Sequence, residues 1–217
     1  MKKHIVHNNR LIWRDVEAQK TVKYITSYDE IPYGYMVIIN DQNIPFRTSA
    51  GKLILVPKPC PNVSIGDEFG GGKVAYIGNE GYFMCGMISA TEDLSDPYLN
   101  VWGCQGTTIG GNAAGTAIGT GKKATTAIVE GCFTDSAAKR CDDLSLNGYT
   151  DWFLPSIMEL NELYQNKDII GGFANQIYWS SSEFSSSHAM TLYFNPGTIF
   201  EEIMKISPRP VRPVRAF

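Results

Sequence analysis

Three prolines within five residues interrupt the chain about a quarter of the way along its 217 residues. The segment Pro57-Lys58-Pro59-Cys60-Pro61 restricts the backbone and lacks an N–H donor at each proline, so a regular strand or helix cannot continue through it. A chain of this length can bury a sizeable core and still carry a smaller element. We therefore predict a boundary near Asn62, with one module over residues 1–62 and a second over residues 63–217.

The first module alternates short runs of β-branched and aromatic residues with turn-forming residues. The runs cover residues 11–13, 22–25, 35–39 and 52–56, and they predict a small β-rich module. We expect this module to anchor the protein or to mediate oligomerisation. The candidate contact residues are Ile12, Trp13, Tyr24, Tyr33 and Tyr35.

The second module contains strand signals at both of its ends. A glycine-rich turn precedes a predicted hairpin, and further strands are predicted near the carboxyl terminus, with a turn between the last two. The predicted hairpin strands cover residues 73–77 and 82–89, the later strands cover 178–181, 188–194 and 211–217, and the turn covers 195–198.

Helix signals occupy the middle of the second module. Apolar spacing predicts helices over residues 122–130 and 136–144. A third helix is predicted from the S-x-x-E capping box of Ser156 and Glu159, whose side chains satisfy backbone donors at the helix start and contribute about 1 kcal/mol. Together the signals predict antiparallel strands and two to three helices in the second module.

Residues 184–210 lack a helical or two-residue period long enough to indicate a buried element. They mix aromatic, methionine, serine and acidic residues between more regular flanks, which favours a surface that contacts a partner. Part of the set is expected to belong to the core, while exposed aromatic and methionine side chains are typical of recognition sites. The candidate ligand-binding residues are Phe184, His188, Met190, Tyr193, Phe200, Glu201, Ile203 and Met204.

Charge and hydropathy exclude two classes of partner. The formal net charge is −3 and no basic run is present, whereas nucleic-acid binding needs clustered lysine and arginine. No window approaches the roughly 20 apolar residues that span a bilayer, so we expect no membrane insertion. The cationic start at Lys2 and Lys3 is not followed by an apolar stretch, and we expect no secretory signal.

Five cysteines leave at least one unpaired in a monomer, and their spacing does not match a zinc site. Without an export signal we expect reduced, mostly buried thiols. A pair between Cys132 and Cys141 across a turn is the alternative.

No catalytic motif emerges. Gly119 to Ala124 fits G-x-G-x-x-A, but no predicted strand precedes it, so we expect no dinucleotide site. Glu201 and Glu202 are expected on opposite faces of a strand and do not form a carboxylate pair. We expect no catalytic residue, no metal and no cofactor. A calcium site is possible but unsupported, since the candidate ligands Asp142, Asp143, Asp151 and Asn195 lack EF-hand spacing.

Seven phrases of the second module resemble the Lcl C-terminal domain family over about residues 63–217. They are Gly66-Asp67 with Gly70-Gly71-Gly72, Trp102-Gly103-Cys104, Gly115-Thr116-Ala117-Ile118-Gly119-Thr120-Gly121, Asn147-Gly148-Tyr149-Thr150-Asp151-Trp152-Phe153-Leu154-Pro155-Ser156, Glu159-Leu160, Tyr178-Trp179-Ser180-Ser181-Ser182-Glu183 and the ending from Val211 to Phe217. The resemblance implies a C-type-lectin-like α+β domain whose terminal strands and loops display a binding surface. The cysteine pair expected in the related formylglycine-generating enzymes is missing from the terminal strands, so we expect no enzyme.

The resemblance leads to an expected function. We expect a bacteriophage virion surface protein, a fibre or decoration, that binds a host surface glycan or protein through residues 63–217. Residues 1–62 are expected to contact other virion proteins, and a homo-oligomer, with a trimer favoured, is expected. The missing signal favours assembly in the host cytoplasm. The alternatives are a bacterial surface adhesin and a formylglycine-generating-type enzyme.

Overall fold

A computed structural model describes four short strands at residues 5–7, 10–12, 23–25 and 35–37, and the ranges 48–57, 60–78, 85–94, 100–195 and 200–217. The chain forms two compact units. The first comprises Met1–Asn62 and Gly78–Cys85, and the second comprises Val63–Ile77 and Gly86–Phe217.

The first unit contains five strands among its described residues. Strands β1 (Ile5–His7) and β2 (Arg10–Ile12) form an antiparallel pair. Strand β5 (Leu53–Pro57) lies between β3 (Lys23–Ile25) and β4 (Tyr35–Val37) in a second antiparallel sheet, and it ends at the first proline of the predicted boundary.

The residues predicted for anchoring are described only in part. Ile12, Tyr24 and Tyr35 lie in β2, β3 and β4, but the description of these strands does not extend to their side chains. Trp13 and Tyr33 lie outside the described residues. Their contact roles therefore stay predictions.

The first sheet of the second unit joins its two ends. Strands β6 (Glu68–Phe69), β7 (Gly72–Ile77) and β8 (Gly86–Ser89) are consecutive antiparallel neighbours. The last strand, β12 (Val214–Ala216), pairs with the outer side of β8. The last strand of the unit is therefore an edge strand of this sheet.

The second sheet consists of β9 (Ile177–Glu183), β10 (His188–Tyr193) and β11 (Phe200–Met204), in the order β11-β10-β9 and all antiparallel. Strand β10 confirms the strand predicted over residues 188–194, and β11 lies after the predicted turn, in the segment that showed no sustained period. The five residues of β11 alternate between exposed and half-buried, a two-residue period too short to stand out in the sequence. Of the predicted turn, residues 196–198 are outside the described ranges.

Four α-helices complete the described part of the second unit. They are α1 (Gly121–Gly131), α2 (Ala137–Asp142), α3 (Ile157–Gln165) and α4 (Lys167–Ile170), one more than the upper predicted number. The capping box is confirmed at α3: the Ser156 hydroxyl accepts from Glu159 N, and Ser156 N donates to Glu159 Oε2 at 2.7 Å. The α+β fold class is confirmed. No helix among the described residues is long and apolar enough to cross a membrane.

The core of the second unit is organised around tryptophans. Trp102 and Trp179 are fully buried with Ile128, Leu154 and Val211. Each indole N–H reaches a carbonyl: Trp102 donates to Ser180 O at 2.9 Å and Trp179 donates to Asn100 O at 3.0 Å. These bonds satisfy the polar atom of each buried ring.

The expectation of reduced thiols was wrong, and so was the alternative pair of Cys132 with Cys141. Cys60 is bonded to Cys85 and Cys104 to Cys132, with Cα–Cα distances of 5.2 and 5.5 Å. Cys141 is a free, buried thiol, and burial raises its pKa. Both bonds join residues more than 20 positions apart, so the partners are brought together by the fold and cannot be deduced from spacing.

Candidate functional site

Glu183, the last residue of β9, joins three segments of the second unit. Its side chain is only 2% exposed, and Oε1 accepts from Ile109 N at 2.9 Å and from Lys205 Nζ at 2.6 Å. Oε2 accepts from Gly110 N at 2.6 Å. The end of β9, the loop at 103–110 and the residue after β11 are therefore held by one carboxylate.

Lys205 completes this buried ion pair. Its side chain has no exposed area, and Nζ also donates to Thr107 O at 2.9 Å and lies 4.4 Å from the centroid of the Trp102 ring. A buried ammonium is stable only when its charge is paired and its donors are satisfied. The ion pair therefore requires the loop and both strand ends to keep fixed positions.

The loop at 103–110 is fastened at further points. Gly103 N donates to Lys205 O at 3.3 Å, and Gly106 N donates to Ser186 O at 2.9 Å in the turn between β9 and β10. Gly103 has φ +93°, and a Cβ there would lie 2.7 Å from the Ser136 Cβ, so glycine is required for both reasons. The disulfide from Cys104 to Cys132 ties the loop to the end of α1. Residues 105–108 at its tip are exposed.

Large apolar side chains reach solvent beside these buried anchors. Phe184 follows Glu183 and is 56% exposed, while Met204 and Ile206 flank Lys205 and are 48% and 56% exposed. Phe184 N donates to His188 O at 3.1 Å, and His188 is the strand partner of Met204. We call Phe184, Met204 and Ile206 the apolar surface. Phe133 follows Cys132 next to the same loop and is 98% exposed.

The face of the β10–β11 hairpin extends this surface. His188 pairs with Met204 and Met190 pairs with Glu202, so their side chains share one face. Phe200 and Glu202 on that face are exposed. The face alternates apolar and acidic residues along β11.

The structure divides the predicted ligand-binding residues into two groups, and none of them is fully buried. Phe184, Phe200 and Met204 are exposed. Glu201 and Ile203 are half-buried on the face of β11 opposite Glu202, as the strand alternation predicted for the two glutamates. His188, Met190 and Tyr193 are also half-buried.

Four polar contacts define the surroundings of the half-buried group. They are Ser187 Oγ with His188 Nδ1 at 2.8 Å, Ser180 Oγ to Met190 O at 2.6 Å, Asn195 Nδ2 to Tyr193 Oη at 3.0 Å, and Thr191 Oγ1 to Glu201 O at 2.9 Å.

Sequence reasoning missed Glu202, Ile206, Phe133 and the loop tip. Strand alternation was a usable signal for Glu202, since a neighbour of the half-buried Glu201 must face the other way. The disulfide brings Phe133 beside the loop, and contacts of Gly106 and Thr107 hold the loop tip near the apolar surface. No local pattern reports such a contact.

Arg212 organises the opposite end of the second sheet. Its side chain is fully buried, and Nε donates to Asp93 Oδ1 at 2.7 Å while Nη1 donates to Ala90 O at 3.1 Å. The Tyr178 hydroxyl donates to Asp93 Oδ2 at 2.7 Å. Burial and the Asp93 charge raise the pKa of Tyr178.

Two further carboxylates, those of Glu159 and Asp151, form hydrogen bonds within the second unit. Glu159 Oε1 accepts from Gly119 N at 2.8 Å in the glycine-rich phrase, and burial raises the pKa of this carboxyl group. Asp151 accepts from Arg215 Nε and Nη2 at 2.7 and 2.9 Å. Partial burial opposes ionisation of Asp151, but the hydrogen bond and charge of Arg215 outweigh it and lower the pKa.

The residues considered for calcium do not converge. Asp143 pairs with Lys139 at the end of α2, Asp151 pairs with Arg215, and Asn195 contacts Tyr193. Within the described residues, no group of three or more histidine, cysteine, aspartate or glutamate side chains could hold a metal ion.

An α+β unit that fixes its loops through buried ion pairs and leaves large apolar side chains in solvent has the features of a binding domain. The model of the Lcl C-terminal domain family matches residues 102–215, which is more than half of the chain, and the chain belongs to this family. The match confirms the predicted family, and residues 63–101 of the predicted range lie before it.

The Lcl C-terminal domain is a binding or adhesin-like family and not a known enzyme family. A comparison with curated proteins found no match.

Proposed function

We propose that this protein is an attachment protein, displayed outside the cytoplasm, whose second unit binds a protein or glycan on a cell surface. The apolar surface beside the Glu183–Lys205 ion pair carries the proposal. Three large apolar side chains there are about half exposed on backbone that is held from within. Clustered exposed apolar residues mark interaction sites, and aromatic residues dominate the binding energy of such sites.

Rigidity of the supporting backbone is the second argument. The disulfide and the buried ion pair order the loop at 103–110 before any partner arrives. A preformed surface avoids the entropy cost of ordering loops on binding, so more of the contact energy remains as affinity. Attachment needs such a surface and needs no turnover.

The disulfides support a setting outside the cytoplasm. Disulfides form and persist on cell surfaces, on virions and in the periplasm, and are rare in a reducing cytosol. A bacterial surface adhesin is favoured by this observation, because an exported chain meets an oxidising compartment while it folds. The bacteriophage virion protein expected from the sequence requires oxidation after release from the host. Surface labelling of intact bacteria and immunoblots of purified particles distinguish the two settings.

Anchoring and assembly belong to the same proposal. We assign the first unit to contacts with other structural proteins and to a homo-oligomer, with a trimer as the favoured form. Light scattering on the full chain tests the assembly. A trimer gives three times the chain mass of 24.0 kDa, whereas a monomer contradicts this part of the proposal.

The binding proposal is tested with labelled full-length protein on a panel of bacterial cells, read by flow cytometry. Phe184→Ala and Ile206→Ala are expected to weaken attachment on the order of tenfold, about 1.4 kcal/mol each. Ile169→Ala is the matched control, since Ile169 is 58% exposed in α4 and Ile206 is 56% exposed. Attachment that survives both surface variants, or that Ile169→Ala weakens equally, contradicts the proposed surface.

A further inference from the structure

Strand β11 is the outer strand of the sheet β11-β10-β9. Among the described strands, none pairs with its outer side. An open strand edge presents unpaired N–H and C=O groups that can template another strand, and proteins commonly protect such edges. β11 contains neither lysine nor proline, the usual protective residues, although it contains two glutamates.

The register shows which backbone groups face outward. Lys205 N donates to Ser187 O at 2.9 Å, so these opposed residues form a hydrogen-bonded pair. Every second pair along the ladder bonds in the same way, and the pairs between them do not. Phe200, Glu202 and Met204 belong to the unbonded pairs, so their N–H and C=O groups point away from β10.

Two side-chain contacts agree with this assignment. Ser180 Oγ on β9 donates to Met190 O at 2.6 Å, which shows that the carbonyl opposite Glu202 points away from β11. Thr191 Oγ1 donates to Glu201 O at 2.9 Å, which shows that the Glu201 carbonyl points toward β10. Met204 O is used by Ser207 N at 2.8 Å, so the open edge ends there.

The same residues also expose their side chains, in the order phenylalanine, glutamate and methionine. A strand added to this edge would place its own side chains opposite them, because directly opposed residues share a face. The added strand is therefore expected to carry a basic residue opposite Glu202 and apolar residues opposite Phe200 and Met204.

A second copy of β11 does not fit this pattern. Antiparallel self-pairing centred on Glu202 sets the two Glu202 carboxylates opposite each other, which is destabilising. A shift by two residues in either direction, which keeps the same side chains on this face, places Glu202 opposite Phe200 or Met204 and offers the carboxylate no donor. Charge complementarity therefore favours a basic partner over a copy of this chain.

We propose that the outer edge of β11 binds an extended segment of another protein by strand addition, with a lysine or arginine opposite Glu202 and apolar residues opposite Phe200 and Met204. The inference rests on the proposed attachment function and names its partner as a protein. Backbone hydrogen bonds to Glu202 supply affinity, and the alternating side chains supply selectivity.

The test uses the full chain and synthetic, end-capped peptides of sequence Thr-Val-Thr-Lys-Thr-Val-Thr, with fluorescence polarisation as the readout. The lysine peptide is expected to bind roughly five- to tenfold more tightly than the same peptide with a central glutamate. Glu202→Lys is expected to reverse the preference. Glu68→Lys, the same change at an exposed glutamate of β6 in the other sheet of the unit, is expected to leave the preference as it is.

Backbone methylation tests strand addition directly. N-methylation of the peptide residues whose N–H groups face β11 is expected to abolish binding, and methylation of the alternate residues is expected to preserve it. Equal binding of the two methylated peptides, equal binding of the lysine and glutamate peptides, or no binding by any peptide overturns the inference.

Two outcomes separate this inference from the attachment proposal. If Phe184→Ala and Ile206→Ala lose attachment to cells while Glu202→Lys keeps it, the result supports attachment through the apolar surface and contradicts strand addition. If Glu202→Gln self-associates and no peptide binds, Glu202 serves to keep copies of β11 apart, and strand addition is again wrong.

Discussion

Lys205 Nζ lies 2.6 Å from Glu183 Oε1 in a place where neither side chain has appreciable contact with water. Phe184 follows Glu183 in the chain, and Met204 and Ile206 are the two neighbours of Lys205. A rigid, charged interior thus supports an apolar exterior.

Glu183→Ala is expected to lower the free energy of unfolding by about 3–5 kcal/mol, because it leaves the Lys205 charge buried without its counter-ion. Urea denaturation followed by tryptophan fluorescence measures the change. Asp143→Ala is the control, since it breaks the exposed Lys139–Asp143 pair and is expected to leave the midpoint unchanged. Similar midpoints for the two variants would show that the buried pair does not stabilise the unit.

Thiol titration is expected to give no reactive cysteine in the native protein, one in denaturant without reductant, and five after reduction. The single thiol is Cys141, whose burial raises its pKa and keeps it unreactive until the chain unfolds. The reagent is added at neutral pH and the labelled residue is identified by peptide mass mapping. Five thiols in denaturant without reductant would show that the disulfides are absent.

Asp151→Asn is expected to destabilise the protein at pH 7 and to lose this effect in acid. Despite partial burial, the pKa of Asp151 in the folded protein lies below the ordinary aspartate value of 3.8, because Arg215 favours the charged form. The contribution to stability is therefore present above pH 3.8 and disappears as the pH falls through the folded pKa.

Urea midpoints at pH 7, 5 and 3 measure this dependence. Asp168→Asn is the control, because the Asp168 side chain is 92% exposed, and its difference from the wild type is expected to stay small at each pH. A difference between Asp151→Asn and the wild type that remains constant from pH 7 to pH 3 contradicts the assignment.

Gly103→Ala is expected to destabilise the second unit more than Gly106→Ala. Both residues have positive φ, +93° and +86°, so each substitution carries backbone strain of roughly 1–3 kcal/mol. Only at Gly103 does the new Cβ also meet side chains, at 2.7 Å from the Ser136 Cβ and 3.1 Å from the Cys132 Sγ. The melting temperatures of the two variants are compared by thermal unfolding. Equal values would show that the close contact of the new Cβ at position 103 does not lower stability.

Local signals in the sequence were sufficient for most elements. The Ser156–Glu159 box and the apolar spacing before Glu130 predicted α3 and α1, because capping and helical periodicity depend on residues only a few positions apart. Strands β9 and β10 were predicted from their β-branched and aromatic content. The motif phrases also identified the family, which the match over residues 102–215 confirms.

Part of the candidate site could likewise be predicted from the sequence. Phe184, Phe200 and Met204 were named as candidates, and they are exposed. Glu202 was placed on the strand face opposite Glu201 but was not named as a candidate, and Ile206, which follows the end of β11, was not named either.

The chain alone determined its family, its α+β class and the helices and strands whose stabilising contacts lie within one element. Only the tertiary structure decided the cysteine pairing, the burial of Lys205 against Glu183 and the outward direction of Glu202. These features join segments 22 to 28 residues apart, or depend on a sheet edge. Such contacts result from packing the whole unit, and no local pattern of residues encodes them.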